Sequence, residues 1–262
     1  MTANLKNMLR THRRGDLIVT PKVEQWLVRH PEGIVLDHKL ASRLYDLTVA
    51  QPRNREGLWS ASAAGACPRA QVFTYLGAPK SHILDPRLQN IFNDGTWRHL
   101  RWQMMMLKMG LLSAVEVPVY DSETHMRGTM DGIGEDEDGE WGFELKGIYS
   151  TAAVTDGPLE NHLLQIHSYF LARPSITRFS LVYEDKRTNL FKEFVIEPDR
   201  DLLQDVYGIF DDLNKALQRK ELPDVITVCE KGKGQTFNGC GYSTFCLGCS
   251  SWEEAIEIAA ST

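Results

Sequence analysis

The sequence predicts a mixed α/β fold arranged around one central sheet. Three observations predict it. Apolar residues recur at helical spacing over a long stretch from Pro86 to Met109, and three short runs of β-forming residues follow in succession. A second helical stretch then precedes two more such runs and a last long helix. Elements mixed in this order pack as helices against a sheet.

Taken in order, residues 1–58 read as a mostly helical lead-in. Its apolar positions are Val23, Trp26 and Leu27, then Leu36, Leu40, Leu44 and Leu47 at helical steps. The polar segment 51–57 is the best boundary, giving a helical N-terminal extension over 1–57 and a domain over 58–262. The long helix closes at Gly110, a residue type that readily takes the left-handed conformation after a helix end. Within it Phe92, Gly95, His99, Trp102 and Met106 fall on one face at steps of three and four. Strands are expected over 114–120, 126–133 and 142–148, with the acidic stretch 135–139 turning between the second and third. A helix over 159–172 stops before Pro174, which cannot continue it. Strands over 178–184 and 190–196 flank a turn at 185–189. Pro198 suits the first position of a helix that extends to Lys220. Ser251, with Glu254 three residues later, forms a capping box for a last short helix. There is no internal repeat and no low-complexity segment.

A chain of 262 residues, 42% hydrophobic and 24% charged, has the composition of a soluble globular protein. No apolar run approaches the roughly 20 residues that span a bilayer. Met1 to Asp16 is basic and polar without an apolar core, so a cytoplasmic protein with no membrane partner is expected. The net charge of −6 excludes a surface that is basic all over. It leaves room for a local cationic track, for which His12-Arg13-Arg14, Arg98 with Arg101, and Lys231 with Lys233 are the candidates. Taken singly, each of these is an ordinary solvated charge.

The chemistry centres on Glu144-Leu145-Lys146. Period-2 alternation puts Glu144 and Lys146 on one face, about 6–7 Å apart, with Leu145 turned into the core. Asp131, in the preceding strand, can come beside Glu144 across the hairpin. Two carboxylates can hold one or two hard divalent cations that neutralise a phosphate and acidify a water. A neighbouring lysine can orient that water or stabilise charge developing on phosphorus. An E-x-K tripeptide by itself is common and indicates only a surface hairpin. Around it, however, stand His99 on the long helix and Gln165 and Tyr169, four residues apart on one side of theirs.

As a set these residues resemble the RecB-like and Cas4-like branch of the PD-(D/E)XK nuclease superfamily. Gly95-Thr-Trp-Arg-His99 is similar to its G-x-x-x-H motif, Gly128-Thr-Met-Asp131 to its G-x-x-D motif, and Glu144-Leu-Lys146 to its (D/E)-x-K motif. Gln165-Ile-His-Ser-Tyr169 resembles its Q-x-x-x-Y motif. Several motifs in the right order, over about 58–250, make the resemblance specific; residues 1–57 have no counterpart in it. The resemblance implies a restriction-endonuclease-like core of order αβββαβ with an N-terminal helical extension. It implies His99, Asp131, Glu144 and the Leu145 carbonyl as ligands of Mg²⁺ or Mn²⁺, and Asp131, Glu144 and Lys146 as the catalytic centre. Gln165 and Tyr169 would contact DNA and steady the lysine.

Five cysteines in a cytoplasmic protein are not expected to form structural disulfides. Cys67 stands apart, whereas Cys229, Cys240, Cys246 and Cys249 crowd the end of the chain. Ser60 to Arg69 resembles the S-x-x-x-x-C-P-R entry of Cas4-like and AddB-like nucleases, in which one early and three late cysteines hold a [4Fe–4S] cluster. The late spacing departs from the family's C-x2-C-x5-C, although Cys240-x5-Cys246 reproduces its last pair. The implied ligands are therefore Cys67, Cys229, Cys240 and Cys246, with Cys249 in place of Cys229 as the alternative. Zinc on the same thiolates is a second possibility.

The function expected from the resemblance is a metal-dependent DNA exonuclease acting on single strands or DNA ends. The settings implied are recombination, phage DNA processing, or CRISPR adaptation with a Cas1-like partner. The alternatives are a non-catalytic iron–sulfur or zinc DNA-binding subunit of a larger nuclease complex, and a nuclease directed at RNA. No G-x-x-x-x-G-K-[ST] phosphate loop is present, so any unwinding must come from elsewhere.

Overall fold

The structure, a computed structural model, describes residues 16–48, 57–80 and 86–261. The basic run His12-Arg13-Arg14 and most of the linker expected over 51–57 lie outside the described residues. Two helices, α1 (Thr20–Arg29) and α2 (His38–Thr48), precede the short strand β1 (Trp59–Ser60) and helix α3 (Pro68–Tyr75). Helix α4 (Pro86–Met109) leads to β2 (Ala114–Asp121), β3 (Met126–Asp136) and β4 (Gly139–Ile148). Helix α5 (Glu160–Ala172), strands β5 (Arg178–Asp185) and β6 (Phe191–Ile196) and helix α6 (Arg200–Arg219) follow. The chain finishes with three short helices, α7 (Gln235–Asn238), α8 (Ser243–Cys246) and α9 (Trp252–Ala260).

The architecture is the expected mixed α/β one, a central sheet flanked by helices. Among the described residues six strands form one sheet, with β2 and β4 antiparallel to β3, β5 parallel to β4, and β6 antiparallel to β5. One face carries α5 and α6 over Met126, Met130, Phe179, Leu181 and Tyr183. The other carries α1 and α4 over Phe143, Leu145 and Val182. Leu145 is thus buried in the core, as the alternation requires. The lead-in is tied to this second face: the Glu193 carboxylate on β6 accepts the Ile18, Val19 and Thr20 amides at the start of α1, at 2.7–3.2 Å. That carboxylate satisfies helix-start donors and sits at the positive end of the helix dipole.

Four local expectations are corrected. The first half of α4 overhangs the sheet, so Phe92 is 52% exposed, while Trp102 and Met106 are buried. Helix α6 is capped by Asp199, which accepts the Asp201 and Leu202 amides at 2.9 and 3.0 Å, and Pro198 lies before it. Ser251 caps α9 through the Glu254 amide, but the Glu254 carboxylate returns to the Ser250 amide and not to that of Ser251. Glu135 and Asp136 extend β3, which shortens the turn before β4.

Candidate active site

The β3–β4 ladder ends at Gly132↔Phe143. Beyond that point the same edge of β3 pairs with β1, Trp59↔Met126 and Ser60↔Arg127. Between the two partners lies a gap opposite residues 128–131, where backbone groups must find other partners. The Asp131 carboxylate fills part of it by accepting the Leu145 amide through Oδ2 at 2.7 Å. The Thr129 carbonyl accepts the Tyr169 hydroxyl at 2.9 Å, and the Asp131 carbonyl accepts Gln103 Nε2 at 3.0 Å.

The gap is where the predicted residues meet. From α4, His99 Nδ1 stands 3.0 Å from Asp131 Oδ1. From β4, the Glu144 Oε1 atom accepts Lys146 Nζ and Gln165 Nε2, each at 2.8 Å. Gln165, on α5, is a bridge: its Oε1 accepts Lys146 Nζ at 2.8 Å while Nε2 also donates to the Tyr169 hydroxyl at 2.6 Å. Residues 163–170 are buried on every side of α5, so its packing, and not its amphipathic period, aims Gln165 and Tyr169 at the sheet. The cleft above encloses about 580 Å³ and is lined by Ser60, Ser62, Arg127, Asp131, Glu144 and Tyr169 among others.

Burial dominates the electrostatics. It pushes Glu144 up to about 7, with the nearby Asp131 charge adding to it against the pull of Lys146. Burial also opposes ionisation of Asp131, but His99 beside it and the Leu145 amide hold it below the usual carboxylate range. Lys146 is half-buried, and although desolvation opposes its charge, Glu144 and then Asp131 keep its ammonium above the ordinary lysine value. His99 is raised in the same way, burial working against Asp131 and Glu144.

The donor set suits a hard divalent cation, being carboxylate and carbonyl oxygens with one imidazole. The Glu144 Oε2 atom supports this: it is buried and has no hydrogen-bond partner among the described residues. Among the described residues no three His, Cys, Asp or Glu side chains close on one point as a ready ion site. His99 and Asp131 face each other, and Glu144 turns one oxygen to Lys146 and Gln165.

Some participants escaped the sequence. His162, one turn before Gln165, has Nδ1 2.8 Å from the Tyr183 hydroxyl, which also accepts the Leu159 amide at 3.1 Å. Burial and the Lys146 charge depress His162 to about 4, leaving it neutral. Its place one turn from Gln165 was the available signal. Glu116 takes a φ of +52° within β2 and accepts Gln103 Nε2 at 2.9 Å. Of the expected cationic track, Arg98 and Arg101 are bound to the buried Glu184, and Arg98 also to Asp94. Lys231 and Lys233 stand exposed.

The cysteines gather elsewhere. Cys67 caps α3. Burial raises the Cys229 thiol, with Cys67 and Cys240 near enough to add to the effect. Burial raises Cys246 too, and the same two cysteines add to it against the nearby Arg69. Cys249 packs with Phe73, Tyr242 and Ala255, a cluster against which Cys240 and Cys246 also lie, and its thiol is 3.6 Å from the Ser251 carbonyl. Arg69 binds the chain end to α3 by donating to the carbonyls of Pro223, Cys246 and Cys249.

No family model matches the chain, and no curated protein matches it. Among solved structures, SSO0001 is similar over 82% of this chain and 96% of its own, with 16% identity and a TM-score of 0.49. The alkaline exonuclease LHK-Exo, in its complex with dAMP, is similar over 63% of this chain and 92% of its own, with 16% identity and a TM-score of 0.45. A second LHK-Exo structure, named as that of the Laribacter hongkongensis enzyme, covers 63% of this chain and 94% of its own, at 14% identity and a TM-score of 0.41.

Proposed function

We propose that this protein is a metal-dependent DNA nuclease, an exonuclease working on single strands or DNA ends, with Asp131, Glu144 and Lys146 as its catalytic centre. The observation that carries the reading is the cluster in which Gln165 ties Lys146 to Glu144 beside the Asp131–His99 pair. His99, Asp131, Glu144 and the Leu145 carbonyl would hold Mg²⁺ or Mn²⁺. Bound there, the ion supplies charge neutralisation on the scissile phosphate and a more acidic water.

The chain's own groups supply the rest. Lys146, kept charged by Glu144, can donate to a phosphate oxygen as negative charge develops on it. Gln165 fixes the lysine and the carboxylate with the two ends of one amide, and Tyr169 fixes Gln165. This reduces the freedom the lysine would otherwise lose on reaching the transition state. Away from the centre, Cys67, Cys229, Cys240 and Cys246 would hold a [4Fe–4S] cluster, with Cys249 in place of Cys229 as the alternative; Cys67 and Cys240 lie near enough to Cys229 and to Cys246 to act on their thiols. The setting is recombination, phage DNA processing, or CRISPR adaptation with a Cas1-like protein as partner.

The test is incubation of the purified protein with end-labelled single- and double-stranded DNA, with and without Mn²⁺ or Mg²⁺. Shortening of the label only with metal is the expected result. Binding without any cleavage under every metal condition would leave a non-catalytic DNA-binding subunit.

A further inference from the structure

A second concavity runs along the overhanging half of α4, outside the cleft described above. It encloses about 820 Å³, and Arg87, Asn90, Ile91, Asp94, Trp97 and Lys186 are among its lining residues. Asn90, Asp94 and Trp97 recur at steps of four and three, and one step further Arg101 meets Glu184 at the end of β5. Asn90, Asp94 and Trp97 lie along one side of the helix and are exposed.

Its chemistry is specific. Trp97 is 61% exposed. Arg87 and Lys186 have no carboxylate partner among the described residues, and Asp94, the carboxylate in the groove, is bound to Arg98 at 3.0 Å. An exposed indole thus lies beside two cations that pair with no carboxylate among the described residues. A strand of unpaired bases on a polyanionic backbone matches both features, whereas a duplex hides its base faces in its own stack. The groove also reaches the end of β4, the strand that carries Glu144 and Lys146. A Cβ on Gly147, the residue after Lys146, would stand 2.8 Å from Lys186 Cε. Tyr149, 76% exposed and covered by the Arg187 guanidinium at 4.6 Å, follows on the same strand end.

We propose that this groove holds a single-stranded segment of the nucleic acid next to the scissile site. One base stacks on Trp97, and Arg87 and Lys186 hold the backbone. The inference rests on the nuclease reading for its substrate but not for its own detection.

Fluorescence gives a direct test. Of the six tryptophans, Trp59, Trp102, Trp141 and Trp252 are at most 5% exposed and Trp26 is stacked on His30, so quenching by a bound strand reports Trp97. The full-length protein, without divalent metal, is titrated with an oligothymidine of about twenty nucleotides and with a blunt duplex of equal length. The single strand is expected to quench and to bind about tenfold more tightly than the duplex. Trp97→Ala should remove the quenching and weaken strand binding about tenfold, a loss typical of one stacked base, while Trp97→Phe keeps most of it. Lys186→Ala and Arg87→Ala should each lower the salt dependence by about one phosphate contact. Because Trp97 is exposed, the thermal midpoint of Trp97→Ala should match the wild type. Equal strand binding by wild type and Trp97→Ala, or equal binding of strand and duplex, overturns the proposal. Cleavage with strand binding indifferent to Trp97 removes the groove and leaves the nuclease. Trp97-dependent strand binding without cleavage under any metal condition removes the nuclease and leaves the groove.

Discussion

At the scale of single residues, Lys146 carries the most demanding role. Its ammonium is held by Glu144 and Gln165, so its removal should cost transition-state stabilisation more than ground-state contact. Lys146→Ala is expected to lower the cleavage rate about a hundredfold or more, the size seen when one charge-stabilising donor is lost, with DNA affinity nearly unchanged. Cleavage at the wild-type rate would refute the assignment. His99 is distinguished by a paired measurement. As a metal ligand, its replacement in His99→Ala should raise the Mn²⁺ concentration for half-maximal activity about tenfold or more, by analogy with losses of supporting groups. As a mere partner of Asp131, it should lower the thermal midpoint and leave the metal requirement alone. His167 offers a test through pH. It is fully buried, donates to the Leu163 carbonyl at 2.8 Å and accepts the Asp199 amide at 3.1 Å, an arrangement only the neutral ring satisfies. Burial holds it below its ordinary value of 6.5. The unfolded chain therefore takes up the proton first, so this stability is complete above about pH 6.5 and declines below it. His162, depressed to about 4, adds to the same acid loss. Thermal midpoints of His167→Gln should fall less between pH 7 and pH 5 than those of the wild type, and parallel curves would exclude this contribution.

At the scale of elements, the site depends on how closely α5 approaches the β3 gap. Gly128 is the contact point: a Cβ there would stand 2.6 Å from Tyr169 Cε1 and 2.9 Å from the Ala61 side chain. Gly128→Ala should therefore push the Tyr169 ring away from Thr129, destabilise the fold by about 1–3 kcal/mol as overpacking does, and slow cleavage by loosening Gln165. Denaturant midpoints together with cleavage rates check both effects, and an unchanged midpoint would show that the ring gives way at no cost. Gly95 meets no such restriction, with nothing within 4 Å of its missing Cβ. The two glycines look alike in the sequence motifs, and only the approach of another element separates them. Helix α4 is similar. Its length and its end at Gly110, where φ is +71°, follow from local signals, but its overhang follows from where the sheet stops.

At the scale of the whole molecule, the chain end returns to α3 through Arg69 and brings cysteines far apart in sequence together. The anaerobically purified protein is expected to be brown and to contain about four irons per chain, as one cubane cluster requires. Cys67→Ala, Cys229→Ala, Cys240→Ala and Cys246→Ala should lose the metal, and Cys249→Ala should keep it. Metal retained by Cys229→Ala and lost by Cys249→Ala would support the alternative set, and a colourless protein containing zinc would replace the cluster. What the sequence determined by itself was the succession of helices and strands and the shared face of Glu144 and Lys146. Both are local, since a strand alternates every second residue whatever surrounds it. Asp131, His99, Gln165 and Tyr169 were legible as residues, through their motifs, but not as contacts. The tertiary structure alone decided that the gap beside β3 joins α4 and α5 at one place. It alone engaged Arg98 and Arg101 with Glu184 and set His162 on Tyr183. Those outcomes rest on contacts between residues tens of positions apart, which no local period encodes, because a period states which way a side chain points and not what it will meet.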